Sequence, residues 1–436
     1  MKKPLRGLVL SWFYPPGNSS EGLVTYKLLK NSQYDYDVFT RGAQDETIWD
    51  RKVQESQLTS KNATIFTSKA NQPTEWIKEA VDFFVQNHDR YDFIMSRSMT
   101  IEPHEAAIQI KERYPNVKWI ASFGDPLVDS PYILESKPED NPYLMSHYLS
   151  NERPSLISGL KLLLSPTRNA SKFVWKKRSQ DLNREPNRWR SINSEVFRNA
   201  DLLIFNNQYQ FDRAFVGNLK QYRKKGIVVN HSFDLTLYPK PTMRRQNTKL
   251  QFCYVGHLDD MRNASALLDA LKELKRLDAA LSDKVAFNFY GHMSDRDKAK
   301  IITHNLQDIV SVHSDIGYLE SLQHIQDSDW VLLIDANLNS VLKEYIYFPA
   351  KLADYLGAKK NILAITQLDG ATADVMRSVK CGQIVTHCAD EIALYLAKII
   401  YQKYNPTQYI KSEWQKYNAV HVAAEYDRAV ARMLKG

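Results

Sequence analysis

Cysteine is scarce in these 436 residues: Cys253, Cys381 and Cys388 are the only three, and none stands in CxxC or metal-ligand spacing. An odd, scattered set of thiols excludes a disulfide-stapled scaffold and a structural zinc site, and it fits a reducing, cytoplasmic compartment. Long apolar runs are missing too. No segment reaches the roughly 18 to 20 apolar residues that a membrane-spanning helix requires. The opening MKKPLRGLVLSWFYPP has a basic flank, but Ser11 breaks its apolar stretch and Pro15 and Pro16 halt it, so it reads as a first strand and not as a secretory signal. There is no GxGxxG turn, which weakens a dinucleotide-binding reading, and no internal repeat or low-complexity tract.

What is present is an ordinary soluble composition in a chain long enough for two domains. Hydrophobic residues at 43% and charged residues at 25% let each domain bury its own core. The net charge of +8 is concentrated, because residues 151 to 190 hold ten Lys or Arg against Glu152, Asp181 and Glu185. This segment also carries ISGLKLLL at 157 to 164 and KFVWKKR at 172 to 178. Apolar, Trp and basic residues mixed in this way suit a helix lying on an anionic bilayer surface, and equally a solvated insertion. Nucleic acid is a weak third partner, since no RNP-like, finger or helix-turn-helix signal accompanies the charge.

Strand-like and helical runs alternate through both halves, the pattern of parallel sheets covered by helices. The first array has strands expected at 7 to 13, 36 to 39, 92 to 96, 117 to 122, 202 to 206 and 226 to 229, with helices at 73 to 88 and 102 to 114. The second has strands expected at 251 to 256, 285 to 290, 310 to 313, 330 to 334, 361 to 365 and 383 to 385. Its helices fall near 263 to 276, 294 to 305, 319 to 327 and 349 to 358. The polar, proline-bearing stretch LYPKPTMRRQNTK at 237 to 249 is the natural linker. The expectation is an α/β chain of two doubly wound, Rossmann-like domains, 1 to 238 (with a basic insertion at 130 to 190) and 249 to 410, followed by a helical tail at 411 to 436.

Open parallel sheets bind ligands beyond the carboxyl ends of their strands, so the candidate residues lie in those loops. In the first half these are Tyr14 to Gly22 (YPPGNSSEG), then Ser96, Arg97, Ser98 and His104, then Gly124, Asp125 and Pro126. His104 fits a contact to a sugar hydroxyl or a proton transfer, and fits a helix cap as well. Asp125 is either a site carboxylate or the cap of the turn before Pro126. In the second half Arg262, near the start of a helix, is positioned to meet a phosphate bidentately or to stand solvated. Gly291 and His292 follow a later strand, and Gly317 and Tyr318 make a shelf for a nucleobase. The richest stretch is EYIYFPAKLADYLGAKKNILAIT at 344 to 366. Pro349 suits the first turn of a helix, whose N–H groups and dipole favour an anion. Lys351 and Asp354 share one face of that helix, a cation for a phosphate and a carboxylate for two sugar hydroxyls. An amphipathic surface helix with an ordinary ion pair satisfies the same pattern. The triplets Asp35-Tyr36-Asp37 and Asp327-Ser328-Asp329 precede expected strands, the wrong end for a site, and read as surface turns.

Taken in order, these segments resemble the GT-B glycosyltransferases, specifically the retaining family-four group that builds bacterial polysaccharides. FCYVGHLDDMRNASALLDALKEL is similar to the opening strand and helix of that group's donor domain, and FNFYGH to its second strand. VHSDIGYLESLQHIQDSDWVLLID resembles its base-contacting turn, and FPAKLADYLGAKKNILAIT its phosphate and ribose segment, with Asp354 where Glu is common. FYPPGNSSEG, YDFIMSRSMTIEPHEAA and WIASFGDP resemble its acceptor domain. The resemblance implies that Arg262 and Lys351 hold the donor diphosphate, Asp354 the ribose hydroxyls and Gly317 with Tyr318 the base. Gly22 would lie near the phosphates, with His104 and Asp125 close to the transferred sugar. One departure stands out: counting eight back from Asp354, where the group's paired-acid motif places the acid that touches the donor sugar, lands on Ile346, while Glu344 is two residues out of register, so either the loop brings Glu344 into that catalytic place or the acid is lacking. The implied activity is hexosyl transfer with retention from a nucleoside diphosphate sugar to a saccharide or polyprenyl-linked acceptor, without cofactor or metal. It implies a cytoplasmic protein in cell-surface polysaccharide synthesis, peripheral to the membrane through 151 to 190, with the tail crossing back to the first domain. A catalytically inactive nucleotide- or partner-binding module and a GT-B-like nucleotide-sugar epimerase are the other readings.

Overall fold

The computed structural model describes residues 4–17, 19–41, 58–70, 72–98, 100–126, 184–240, 249–339 and 342–435. Most of the basic stretch 151 to 190 and of the linker at 237 to 249 therefore lies outside the described residues. Among the described residues, thirteen parallel strands form two sheets. The first contains β1 (Arg6–Ser11), β2 (Asp35–Arg41), β3 (Ala63–Ser68), β4 (Phe93–Arg97), β5 (Lys118–Phe123), β6 (Leu202–Phe205) and β7 (Gly226–Val228), in the order β3-β2-β1-β4-β5-β6-β7. The second contains β8 (Leu250–Val255), β9 (Val285–Tyr290), β10 (Val310–His313), β11 (Trp330–Ile334), β12 (Asn361–Ile365) and β13 (Gly382–Val385), in the order β10-β9-β8-β11-β12-β13.

The strand centres are apolar and buried on both faces, as parallel strands between helical layers must be. Leu8, for example, pairs with Asp37 on one side and Ile94 on the other, and Leu332 pairs with Leu363. Each sheet reverses direction once, between β1 and β4 and between β8 and β11. Those two reversals are where crossover helices diverge and leave a crevice. The expected strands are all present, and β3 is an addition. Its sequence ATIFTS is largely exposed, so as an edge strand it lacks the apolar alternation that marked the others.

Helix Ser265–Leu277 shows how the covering layers form: Leu267, Leu268, Leu271 and Leu274 share one buried stripe, and Lys275 and Arg276 sit in the last turn, where cations favour the dipole. The chain ends with helices Lys411–Gln415 and Ala419–Lys435. Trp414 stacks on Phe233 with ring centroids 4.8 Å apart and donates Nε1 to the Leu356 carbonyl at 2.7 Å. Val422, Tyr426 and Val430 then face the first sheet's helical layer, and Asp427 accepts from Ser32 Oγ at 2.6 Å and from the Gln33 N–H at 2.9 Å. The tail thus crosses from the second sheet to the first. One apolar core joins the two halves, running from Val9 and Tyr26 through Tyr318 and Leu352 to Trp414 and Tyr426.

Candidate active site

At the first reversal, Arg97 closes β4 and Glu21 opens helix Ser20–Asn31. Arg97 donates Nη2 and Nε to Glu21 Oε2 at 2.7 and 3.2 Å, and Nη1 to Ser122 Oγ at 2.9 Å. Glycines let the surrounding backbone close on this pair. A Cβ on Gly124 would collide with the Glu21 carboxylate, and one on Gly22 would lie 3.0 Å from Tyr14 Cα. Asp125 follows, partly open to the cleft but closely walled. Burial, reinforced by the Glu21 charge, raises its carboxyl to about 7, against the opposing pull of Arg262 and Arg97. Arg262 belongs to the other half, so the two halves meet electrostatically at Asp125.

His104, on helix Glu102–Arg113, is completely buried. Ser96 Oγ accepts from Trp119 Nε1 at 2.8 Å and shares a second hydrogen bond with His104 Nδ1 at 2.7 Å. Burial, aided by Arg97, lowers this imidazole to about 3, which keeps it neutral. His231, just beyond β7, is held neutral in the same way by burial, then Arg97 and Lys27. Its ring stacks on Phe348 at 5.6 Å, immediately before helix Ala350–Gly357.

The second reversal is built by β8, β11 and the segments that follow them. Asp259 Oδ1 accepts from the Met261 and Arg262 N–H groups at 2.9 and 2.8 Å, an Asx turn that fixes the Arg262 backbone. Asp335 directly follows β11 and is buried, with Thr366 donating Oγ1 to its Oδ2 at 2.8 Å. Burial raises its pKa while Arg262 opposes the rise. Lys351 extends over the end of β8, where Nζ meets Tyr254 Oη at 2.7 Å and would lie 2.8 Å from a Cβ on Gly256. Gly256 has φ +116, a conformation that favours glycine.

Asp354 points elsewhere. Its Oδ1 accepts from Tyr318 Oη at 2.8 Å and from Lys27 Nζ at 2.9 Å, and the three side chains are buried together. Glu344 is exposed, and its charge, with those of Asp374 and Asp369, acts on Tyr209. Ile346 is buried in a small apolar cluster with Tyr345 and Tyr347, and its carbonyl accepts Asn207 Nδ2 at 2.9 Å.

No family model matches this chain, and no curated protein matches it either. Solved structures do. Sucrose-phosphate synthase from Thermosynechococcus elongatus superposes with a TM-score of 0.63 at 12% identity, over 99% of both chains. An α,α-trehalose-phosphate synthase (UDP-forming) from Burkholderia xenovorans, in complex with glucose-6-phosphate, gives 0.59 at 11% identity over 99% of this chain and 100% of that one. A UDP-N-acetylglucosamine 2-epimerase gives 0.53 at 10% identity over 100% of this chain and 96% of that one. These end-to-end superpositions decide the architecture. The chain has the GT-B fold.

In this GT-B frame the sequence-derived residues fall into distinct groups. Arg262 acts on Asp125 through its charge, and Tyr318 and Asp354 are hydrogen-bonded to each other. Lys351 and Asp354, although on one helix, turn to different partners. Gly22 lies in a backbone contact with Tyr14, His104 behind Arg97, and Glu344 at the surface. Glu21 falls within the Tyr14 to Gly22 stretch already named, and three residues that sequence reasoning did not single out join the site: Lys27, His231 and Asp335. Asp335 had a readable signal, an acid directly after the apolar strand WVLLI. Buried polar atoms without a hydrogen-bond partner also gather at the carboxyl ends of the strands: Tyr14 Oη, His104 Nε2, Asp335 Oδ1 and His387 Nδ1. Unsatisfied buried groups are rare in a finished core and are expected where a ligand supplies the partner. The two Asp-x-Asp triplets sit at the amino ends of β2 and β11, with Asp37 enclosed by Arg6, Arg90 and Tyr91.

Proposed function

We propose that this protein is a glycosyltransferase that moves a hexosyl-type sugar, with retention, from a nucleoside diphosphate sugar to a saccharide or polyprenyl-linked saccharide. The observation that carries this reading is the placement of Arg262 after β8 and Asp125 after β5, beyond the carboxyl ends of strands in both sheets, with the Arg262 charge acting on the Asp125 carboxyl. Arg262 and the anion-favouring start of helix Ala350–Gly357 with Lys351 would take the diphosphate. As the glycosidic bond breaks, charge develops on the leaving phosphate oxygen, and these fixed cations stabilise it. That oxygen then accepts the proton of the attacking hydroxyl on the same face of the sugar. Asp125, its carboxyl raised by burial, and His104, a neutral imidazole, would hold hydroxyls of the transferred sugar. Asp354 would read the ribose and Tyr318 the nucleoside end, and no step calls for a metal. The synthases of sucrose phosphate and trehalose phosphate that share the fold support a nucleotide sugar as donor. Among the described residues no helix is long and apolar enough to cross a membrane. A cytoplasmic place with peripheral membrane contact through 151 to 190, serving cell-surface polysaccharide synthesis, completes the proposal.

The test is incubation with a panel of nucleotide sugars and saccharide or lipid-linked acceptors, with free nucleoside diphosphate detected by mass spectrometry. No product from any donor, together with unchanged nucleotide affinity in Arg262→Ala, refutes the transferase. One specific observation favours a second reading. An epimerase needs in-cleft carboxylates as acid and base, and Asp125 beside Glu21 supplies such a pair. Deuterium entering the recovered nucleotide sugar from heavy water, without acceptor and without release of diphosphate, would select the epimerase. Nucleotide binding with neither outcome would select the inactive module.

A further inference from the structure

Lys27 is a lysine with 1% of its surface exposed, on helix Ser20–Asn31 of the first half. Lysines are almost never enclosed to this degree without a partner. Its Nζ reaches across to the second half, 2.9 Å from Asp354 Oδ1 and 3.5 Å from Tyr318 Oη, while Tyr318 Oη donates to the same Oδ1 at 2.8 Å. The backbone of Asp354 is held as well, because its carbonyl accepts Tyr238 Oη at 2.7 Å from the segment that leaves the first sheet. A carboxylate has about four acceptor positions across its two oxygens. Two are filled on Oδ1, and among the described residues no hydrogen bond reaches Oδ2.

We propose that Lys27 is a positioning residue for the donor: from the facing domain it pins Asp354 through Oδ1, so that Oδ2 is presented to the ribose hydroxyls only when the two domains are closed. This rests on the donor reading given above. Lys27 neutralises a carboxylate that would otherwise be buried alone, and its ammonium is placed there only by the closed arrangement. Ribose recognition and domain closure are then one equilibrium, and a nucleoside diphosphate is favoured over bare pyrophosphate because its sugar completes the clamp.

The experiment uses the full chain with Lys27→Met, Lys27→Gln and Lys27→Arg. Affinities are measured by calorimetry for uridine, guanosine and adenosine diphosphates, for the 2′-deoxy form of whichever binds, and for inorganic pyrophosphate. In Lys27→Met the ribonucleotide should bind about 10- to 100-fold more weakly, as expected for loss of a charge-assisted contact. The preference for ribo over 2′-deoxy should collapse, pyrophosphate affinity should hold, and Lys27→Arg should recover most of the loss. If Lys27→Met does not fold, Lys27→Gln, which keeps a donor but no charge, carries the same expectation at smaller size. An unchanged ribo preference in the folded variants, or an equal loss for pyrophosphate and nucleotide, overturns the proposal while leaving the donor reading intact. A wild-type protein that binds none of these nucleotides removes both.

Discussion

Replacing Asp125 with Asn should change the pH dependence of stability in a direction that a simple turn cap would not. The carboxyl stands at about 7 in the fold against 3.8 in an unfolded chain, chiefly through burial and then through Glu21. Below 3.8 both states hold the proton and the residue is neutral in stability terms. Between the two values the native state binds a proton that the unfolded state has released, so stability falls as pH rises, and above 7 the penalty is complete. At about 1.4 kcal/mol per pKa unit the full penalty is about 4 kcal/mol. Solvent reaching Asp125 through the cleft reduces this to roughly 2 kcal/mol. Asp125→Asn removes the titration, so relative to wild type it should gain about 2 kcal/mol between pH 4 and pH 8, or roughly 4 to 8 °C in thermal midpoint for a domain of this size. Scanning calorimetry of both proteins across that range is the assay, with activity followed in parallel. A gain in stability at pH 8 accompanied by a loss of transfer identifies a residue kept for function at a structural cost. A midpoint difference that does not vary with pH would refute the reasoning, because it would mean that Asp125 ionises as freely in the fold as outside it.

Arg262→Ala should weaken nucleoside diphosphate binding about 10- to 100-fold by calorimetry, as loss of a charged hydrogen-bonding partner implies. It should also move the pH profile upward, since Arg262 opposes the raised values of both Asp125 and Asp335. Lys351→Met should lower the rate about 100-fold in the diphosphate-release assay while leaving acceptor affinity unchanged. Gly256→Ala adds a Cβ 2.8 Å from Lys351 Nζ at φ +116, so it should cost about 1 to 3 kcal/mol and raise the donor KM. Trp414→Ala removes both the Phe233 stack and the bond to Leu356, and should lower stability by about 3 to 5 kcal/mol in thermal melts.

The alternating arrays of the sequence carry most of the fold because parallel strands buried on both faces are short apolar runs. Leu250–Val255 and Trp330–Ile334 are legible without any tertiary information. β3 escaped because an exposed edge strand has no such run. In the candidate site, Arg262 and Asp125 were named from local sequence alone as residues of loops after strands, and the structure puts both just beyond strand ends. Lys27 could not be found this way. It sits in the middle of a helix, and its role exists only because Asp354, 327 positions later, is brought against it. His231 escaped for the same reason, since its burial is set by Phe348 and by cations from both halves.

The acid expected eight residues before Asp354 raises a sharper point about where negative charge is supplied. Ile346 is buried among Tyr345 and Tyr347 and its carbonyl is bonded to Asn207, so the backbone there serves as a contact between the halves. A carboxylate at that position would have to be desolvated inside an apolar cluster, at a cost of several kcal/mol without a cation beside it. The carboxylates within the field of Arg262 are instead Asp125 and Asp335, each at a strand end and each raised by burial. Strand ends are stiffer supports than a loop, and a carboxylate held there keeps its distance to a ligand with less reorganisation. Negative charge that Ile346 does not carry is thus placed just after β5 and β11, one strand of each sheet, where the charge of Arg262 acts on both carboxyls.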